Sequence, residues 1–148
     1  MALTTDLQRF LDAQRTDYPV ALAEIKNGRK RSHWMWYIFP QIQGLGFSET
    51  SKFYAIRNRA EAEDFLRHPV LGPRLLEIFR ALLALPGTNA TAIFGSPDDL
   101  KFRSSMTLFA AADPAQPLFG EALARFFAGR PDPATLERLS DTGPSGRA

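Results

Sequence analysis

Residues 33–54 hold seven of the chain's 17 aromatic side chains: Trp34, Trp36, Tyr37, Phe39, Phe47, Phe53 and Tyr54, both tryptophans among them. The basic run Arg29-Lys30-Arg31 comes just before, and His33 stands beside the first tryptophan. Aromatic faces next to guanidinium and ammonium groups suit a ligand with both a flat ring and a negative charge. Stacking and cation–π contact hold the ring while Arg or Lys holds the anion. Arg31, Trp34, Trp36 and Tyr54 are the ligand contacts this pattern nominates. The competing reading makes Trp34, Trp36 and Phe39 ordinary core and the basic run a solvated helix end, since large aromatic side chains are mostly buried. Within the same stretch, Pro40-Gln41-Ile42-Gln43-Gly44-Leu45-Gly46 reads as a loop. Its glycines would let a ligand approach the backbone closely, which adds Gln41 and Gly44 to the candidates. Ordinary turn chemistry explains the glycines as readily.

A second group is Asp98, Lys101, Ser104 and Ser105. Helical spacing sets Asp98, Lys101 and Ser105 on one face, with Ser104 one step round. Two serines inside an otherwise apolar helix need partners, because an unpaired buried hydroxyl is costly. In a functional reading Ser104 and Ser105 line a pocket, Lys101 contacts an anion and Asp98 is an acid or base. In a structural reading each serine bonds back to a carbonyl one turn earlier. His33 and His68 are the side chains that titrate near neutrality when unperturbed. His68, ahead of Pro69 at a helix end, suits capping. His33, between the basic run and the tryptophans, is the better catalytic candidate beside Asp98. No Ser-His-Asp order, paired-carboxylate spacing or phosphate-loop signature is present.

The elements that must position these groups are helical almost throughout. Leu7, Phe10, Leu11 and Gln14 fall on one stripe behind a Thr4 or Thr5 cap, and a second helix is expected from Tyr18-Pro19 to Lys26. Further helices are expected over 60–67, from Pro73 to Leu85, after Ser96-Pro97-Asp98-Asp99, over 117–128 and from 133 to 139, with a short turn over 89–94. Ser96 supplies a capping hydroxyl for the helix that follows it. That helix is apolar around most of its circumference, and such a helix is usually central. Met35 to Phe39 fits a buried strand or a helical turn equally well. The expected fold is all-α, a compact single-domain bundle of about six to seven helices around a buried central helix. Its domain covers residues 5–139, and 140–148 form a disordered tail without apolar anchors.

Composition bounds the rest. The chain has 148 residues, 45% of them hydrophobic, which suits one domain with a sizeable core. With no cysteine, disulfides, thiolate metal sites and a cysteine nucleophile are excluded, and two histidines are too few for a His-rich metal site. No metal and no cofactor are expected. No secretory leader and no membrane span is visible, so a cytoplasmic protein is expected, monomeric by default. The net charge is +2 but unevenly placed. Between Lys26 and Arg59 seven basic residues face Glu49 alone, a local excess of six, so the rest of the chain sums to −4. That asymmetry points to an anionic partner.

Arg29 to Gly46 (RKRSHWMWYIFPQIQGLG), Tyr54-Ala55-Ile56, His68 to Gly72 (HPVLG) and Ile93 to Ala110 (IFGSPDDLKFRSSMTLFA) resemble an uncharacterised bacterial family, the domain of unknown function numbered eighteen-ten. The resemblance spans roughly residues 6–139 and implies a single, mainly α-helical domain without an activity to carry over. Members are often labelled calpastatin. Inhibitors of that name are disordered, charged and repetitive, unlike this patterned, repeat-free chain. The positions matching the family's motifs are His33, Trp34, Trp36, Gln41, Gly44, Tyr54, His68, Asp98, Lys101, Ser104 and Ser105. The combined reading is a pocket for a small anionic, ring-bearing ligand, such as a nucleotide or ADP-ribose derivative. Its walls would be residues 31–54 and the helix from Asp98 to Phe109. A catalytic version would hydrolyse the ligand at its sugar, loosely resembling small helical proteins that act on ADP-ribose-type N-glycosidic bonds. The alternatives are nucleic-acid binding through residues 26–59, and a protein-interaction module without catalysis.

Overall fold

A computed structural model describes residues 7–141. They form nine helices: α1 (Gln8–Lys26), α2 (Met35–Ile38), α3 (Glu49–Tyr54), α4 (Arg59–Arg67), α5 (Leu71–Ala84), α6 (Ala90–Phe94), α7 (Asp98–Ala112), α8 (Pro117–Phe127) and α9 (Pro133–Asp141). The fold is all-α. The excess over six or seven comes from the one-turn pieces α2, α3 and α6.

The first two expected helices are one. Phe10, Gln14, Tyr18, Ala21 and Ile25 are buried along a single stripe, and α1 runs through Pro19 without a break. An interior proline costs roughly 3 kcal/mol, and the continuous apolar stripe outweighs it. Packing against α5 fixes the register: the Tyr18 hydroxyl lies 2.9 Å from the Arg74 carbonyl and donates to Glu77 at 2.6 Å. Burial, with the Glu77 carboxylate beside it, pushes that phenol far above its ordinary value. Thr4 and Thr5 lie outside the described residues, and among the described residues no side chain caps α1.

The central position of α7 follows from its composition. Phe102, Met106, Leu108 and Phe109 are all buried, and α4, α6, α8 and α9 pack around them. Phe102 stacks on Phe94 at 4.4 Å between ring centroids and meets Phe39 edge-on at 5.2 Å. Ser96 does not cap this helix. Pro97 holds the cap position with no side-chain bond, because the helix starts one residue later than the hydroxyl needs. Asp99 Oδ1 instead accepts the Leu100 N–H, and its Oδ2 accepts the Thr91 hydroxyl, tying α6 to α7.

Two contacts set neighbouring elements. His68 Nδ1 accepts the N–H groups of Val70 and Leu71 at 3.0 and 3.3 Å, so it serves the start of α5 rather than only the end of the helix before it. Gly72 then lets α5 pass α4 so closely that a Cβ there would sit 2.1 Å from the Leu66 carbonyl. Residues 35–39 resolve as a helical turn. Beyond them Ile42 and Ile56 form an isolated parallel bridge, with Ile56 N–H donating to the Gln41 carbonyl and Gln43 N–H to the Ile56 carbonyl, both at 2.8 Å. At the C-terminal end Ser140 and Asp141 are helical rather than part of a tail. The remainder of the expected tail lies outside the described residues.

Candidate functional site

The basic run folds back on the end of α1 because Glu24 collects its donors. The Glu24 carboxylate accepts the backbone N–H groups of Arg31 and Ser32, the Ser32 hydroxyl and the indole N–H of Trp34, at 2.6–3.0 Å. Burial works to raise the pKa of Glu24. The Ser32 hydroxyl, the Arg31 and Ser32 backbones and the Trp34 indole outweigh it and bring it down to about 2. Trp34 is thereby core, 1% exposed. A wholly buried ring cannot stack on an entering ligand, which corrects its assignment as a contact. Arg31 is exposed, and only its backbone takes part in this knot.

Lys30 turns inward to Asp98, 2.7 Å away, and Lys101 reaches the other carboxylate oxygen at 3.1 Å. Lys30 also donates to the Ser32 carbonyl. The two ammonium groups lie over the indoles, Lys30 on Trp34 at 5.1 Å and Lys101 on Trp36 at 4.2 Å. Burial works to raise the Asp98 pKa, but hydrogen bonds from Lys30 and Lys101 prevail and hold it below the usual carboxylate range. A carboxylate held ionised between two cations is a counter-ion. It has no proton to donate and little basicity to offer.

Trp36 is the hinge between this cluster and open space. With Gln41, Gly44, Leu45, Gly46, Ser51, Lys52, Tyr54 and Arg138 it lines a cavity of about 250 Å3. The backbone bends around this space at Gly44, whose φ is +95°. A Cβ there would also meet the Arg138 guanidinium at 2.6 Å, and Arg138 Nη2 donates to the Gly44 carbonyl at 3.4 Å. The far wall is α3, capped by Ser48, which accepts the Ser51 N–H. Arg9 grips the end of that wall, donating to the Phe53 and Ala55 carbonyls at 2.7 and 2.8 Å. Gln41 is 9% exposed, and its amide nitrogen has no partner among the described residues. Burial raises the Tyr54 pKa, so its phenol stays protonated.

A second, wider groove of about 760 Å3 shares Trp36 and Tyr54 with the first and adds His33, Tyr37, Glu49, Thr50 and Phe53. Tyr37 donates to Asp17, which with burial lifts its pKa well above the ordinary phenol range.

Of the nominated residues, Trp36, Gln41, Gly44 and Tyr54 therefore share one cavity. His33 lines the groove beside it. Asp98 and Lys101 stand behind Trp36. Ser104 and Ser105 line neither space. Ser104 donates to Asp132 at 2.9 Å and lies 3.2 Å from the Leu100 carbonyl, while Ser105 is fully buried and its hydroxyl has no partner among the described residues. The helix face expected as a second wall is divided instead: Asp98 and Lys101 meet Lys30 and Trp36, and Ser104 meets Asp132 just ahead of α9. Lys52 was visible only as one of the seven basic residues between Lys26 and Arg59. Arg138 carried no signal, because 94 residues separate it from the glycine it covers. Among the described residues no cluster of His, Asp and Glu is placed to hold a metal ion, and no helix is long and apolar enough to cross a membrane.

Residues 4–139 match the family model described as a protein of unknown function, DUF1810. The chain is similar to a conserved hypothetical protein from Mycobacterium tuberculosis whose crystal structure is known. The two are 44% identical with a TM-score of 0.89, over 91% of this chain and 96% of the other. No curated protein matches it.

Proposed function

This chain belongs to the DUF1810 family of proteins of unknown function, and on that premise we propose that the cavity beside Trp36 binds a small molecule with one aromatic ring and one acidic group. The observation that carries the reading is the Gln41 amide. Gln41 lines the cavity while its amide nitrogen is turned away from it. A rotation of that amide toward a ligand acceptor would recover what a buried donor without a partner costs, about 1–3 kcal/mol. Trp36 and Tyr54 contribute aromatic rings to the lining, and Lys52 and Arg138 contribute cations.

Size narrows the ligand. About 250 Å3 falls just under the range of roughly 300–1,000 Å3 usual for drug-sized ligands. One ring with its acid group fits, as in a nucleoside monophosphate or an aromatic acid. A whole ADP-ribose exceeds the cavity and would have to run past Trp36 into the His33 groove. Asp98 is withdrawn as acid or base by its two lysines. The reading is therefore ligand binding, with His33 kept as the one candidate for chemistry on a ligand long enough to reach it.

A second reading has one observation in its favour. Phe47 and Phe53 are 88% and 58% exposed beside the cavity, where they would extend the Trp36 and Tyr54 faces into a stacking platform for single-stranded nucleic acid. Against it, Lys30 is spent on Asp98, Arg57 reaches Glu61, and Arg59 donates to the Ala111 carbonyl. A thermal-shift panel of nucleoside monophosphates, aromatic acids and short oligonucleotides separates the two. A ligand at 100 times its dissociation constant adds about 2.7 kcal/mol. A small-molecule shift that persists in salt and disappears in Gln41→Met is the expected result. A shift confined to oligonucleotide and lost with salt, or one unchanged by Gln41→Met, overturns the proposal.

A further inference from the structure

A separate cleft of about 540 Å3 shares no lining residue with the cavity above and is formed by Thr88, Arg103, Ala124, Arg125, Phe126, Phe127, Ala128 and Arg130. Three of those side chains are arginines, which stay charged at any physiological pH, and among the described residues no carboxylate lines the cleft. None of the three forms an ion pair among the described residues, whereas Arg9, Arg15, Arg57 and Arg67 each find a carboxylate.

Two of the arginines are fixed in place by neutral acceptors. Arg103 donates through Nε to the Arg130 carbonyl at 2.9 Å and through Nη2 to the Pro131 carbonyl at 3.0 Å. Arg125 donates through Nη1 to the Leu85 carbonyl at 2.9 Å. Their guanidiniums also lie near the faces of Phe127 and Phe126, at 5.7 and 5.9 Å. Carbonyls orient these groups without cancelling their charge. A guanidinium has five N–H donors, so Arg103 and Arg125 keep several unused. Holding them in place before a ligand arrives removes most of the rotamer cost of binding. Arg130 stands exposed at the rim as the third charge.

We propose that this cleft is a binding site for a diphosphate group, as free pyrophosphate or as the tail of a small nucleoside diphosphate. Charge decides between anions. One carboxylate would leave two of the three guanidiniums unneutralised, whereas a diphosphate carries two to three negative charges on oxygens spaced for bidentate guanidinium contact. The open shape of the cleft accommodates both phosphoryl groups.

The test is calorimetric titration of the full-length chain with inorganic pyrophosphate at fixed ionic strength in chloride, then of Gln41→Met, in which the cavity beside Trp36 is disabled, with adenosine diphosphate and adenosine monophosphate. Saturable pyrophosphate binding is expected, with adenosine diphosphate comparable and the monophosphate weaker. Arg130→Gln removes only an exposed side chain, since the carbonyl that holds Arg103 is backbone. It should weaken pyrophosphate about tenfold. Arg125→Gln with Arg130→Gln should abolish binding while the thermal unfolding transition remains cooperative. Gln41→Met should leave pyrophosphate affinity unchanged, so the two sites stand or fall separately. No saturable binding to the wild type overturns the assignment, as does binding that Arg130→Gln and the double variant leave intact.

Discussion

Replacing Glu24 by Gln tests the knot that holds the aromatic segment. Four donors converge on that carboxylate, and its pKa falls from an ordinary 4.5 to about 2. At about 1.4 kcal/mol per tenfold change in acidity, the drop has a ceiling near 3 kcal/mol. Glu24 is only half-buried, so solvent screens part of this and about 2 kcal/mol is the working figure. The folded-state pKa is depressed. The stabilisation is therefore fully present above the unfolded value of 4.5 and fades as pH falls from there toward 2. The assay is urea unfolding followed by tryptophan fluorescence, because Trp34 and Trp36 are the only tryptophans and both lie at or beside the knot. Glu24→Gln should lower the urea midpoint by about 1 M at pH 7. The gap between wild type and variant should narrow from pH 4.5 downward and close only as pH approaches 2. A gap that stays constant from pH 7 to pH 3 would refute the account, since the loss would then come from shape or packing and not from charge.

Asp98→Asn removes the counter-charge of Lys30, whose side chain is 7% exposed. Denaturant melts should show a loss of about 2–3 kcal/mol, while Lys101→Met, at a more exposed site, should cost under about 1 kcal/mol. Gly72→Ala drives a Cβ into the Leu66 carbonyl and should cost about 2–3 kcal/mol by thermal unfolding. Gly120→Ala, inside α8 with nothing within 4 Å of the new atom, should stabilise by about 0.5–1 kcal/mol.

Much of the helical layout was legible because caps and breakers coincide with the periodicity. Pro86-Gly87 ends α5, Asn89 caps α6 through the Ala92 N–H, and Gln116-Pro117 opens α8. The apolar circumference of α7 located the centre of the bundle. The misreading at Pro19 has an identifiable cause. A local rule about proline was weighed against two short stripes, yet Phe10, Gln14, Tyr18, Ala21 and Ile25 belong to one. The tie between strand and helical turn at 35–39 could not be broken locally either. What decides it is Trp34, anchored by Glu24 from a different helix.

The candidate site was half legible for a related reason. Residue types marked Trp36, Gln41, Gly44 and Tyr54, which sit within 20 positions of one another and meet through a single loop and one short helix. Spacing on α7 likewise put its polar residues on a face, but a helix wheel does not say what covers that face. Asp132 does so. Its carboxylate accepts the Ser104 hydroxyl at 2.9 Å and the Thr135 hydroxyl at 2.5 Å, and its own N–H donates to Thr107 at 2.8 Å. Satisfied in this way, Ser104 and Thr107 hold the start of α9 against the central helix. One turn further along, α9 carries Arg138 to the carbonyl of Gly44. Ser104 was read as a ligand contact. It is a fixing point for the helix that brings a cation to the cavity, so its influence on that cavity runs through Asp132 and α9.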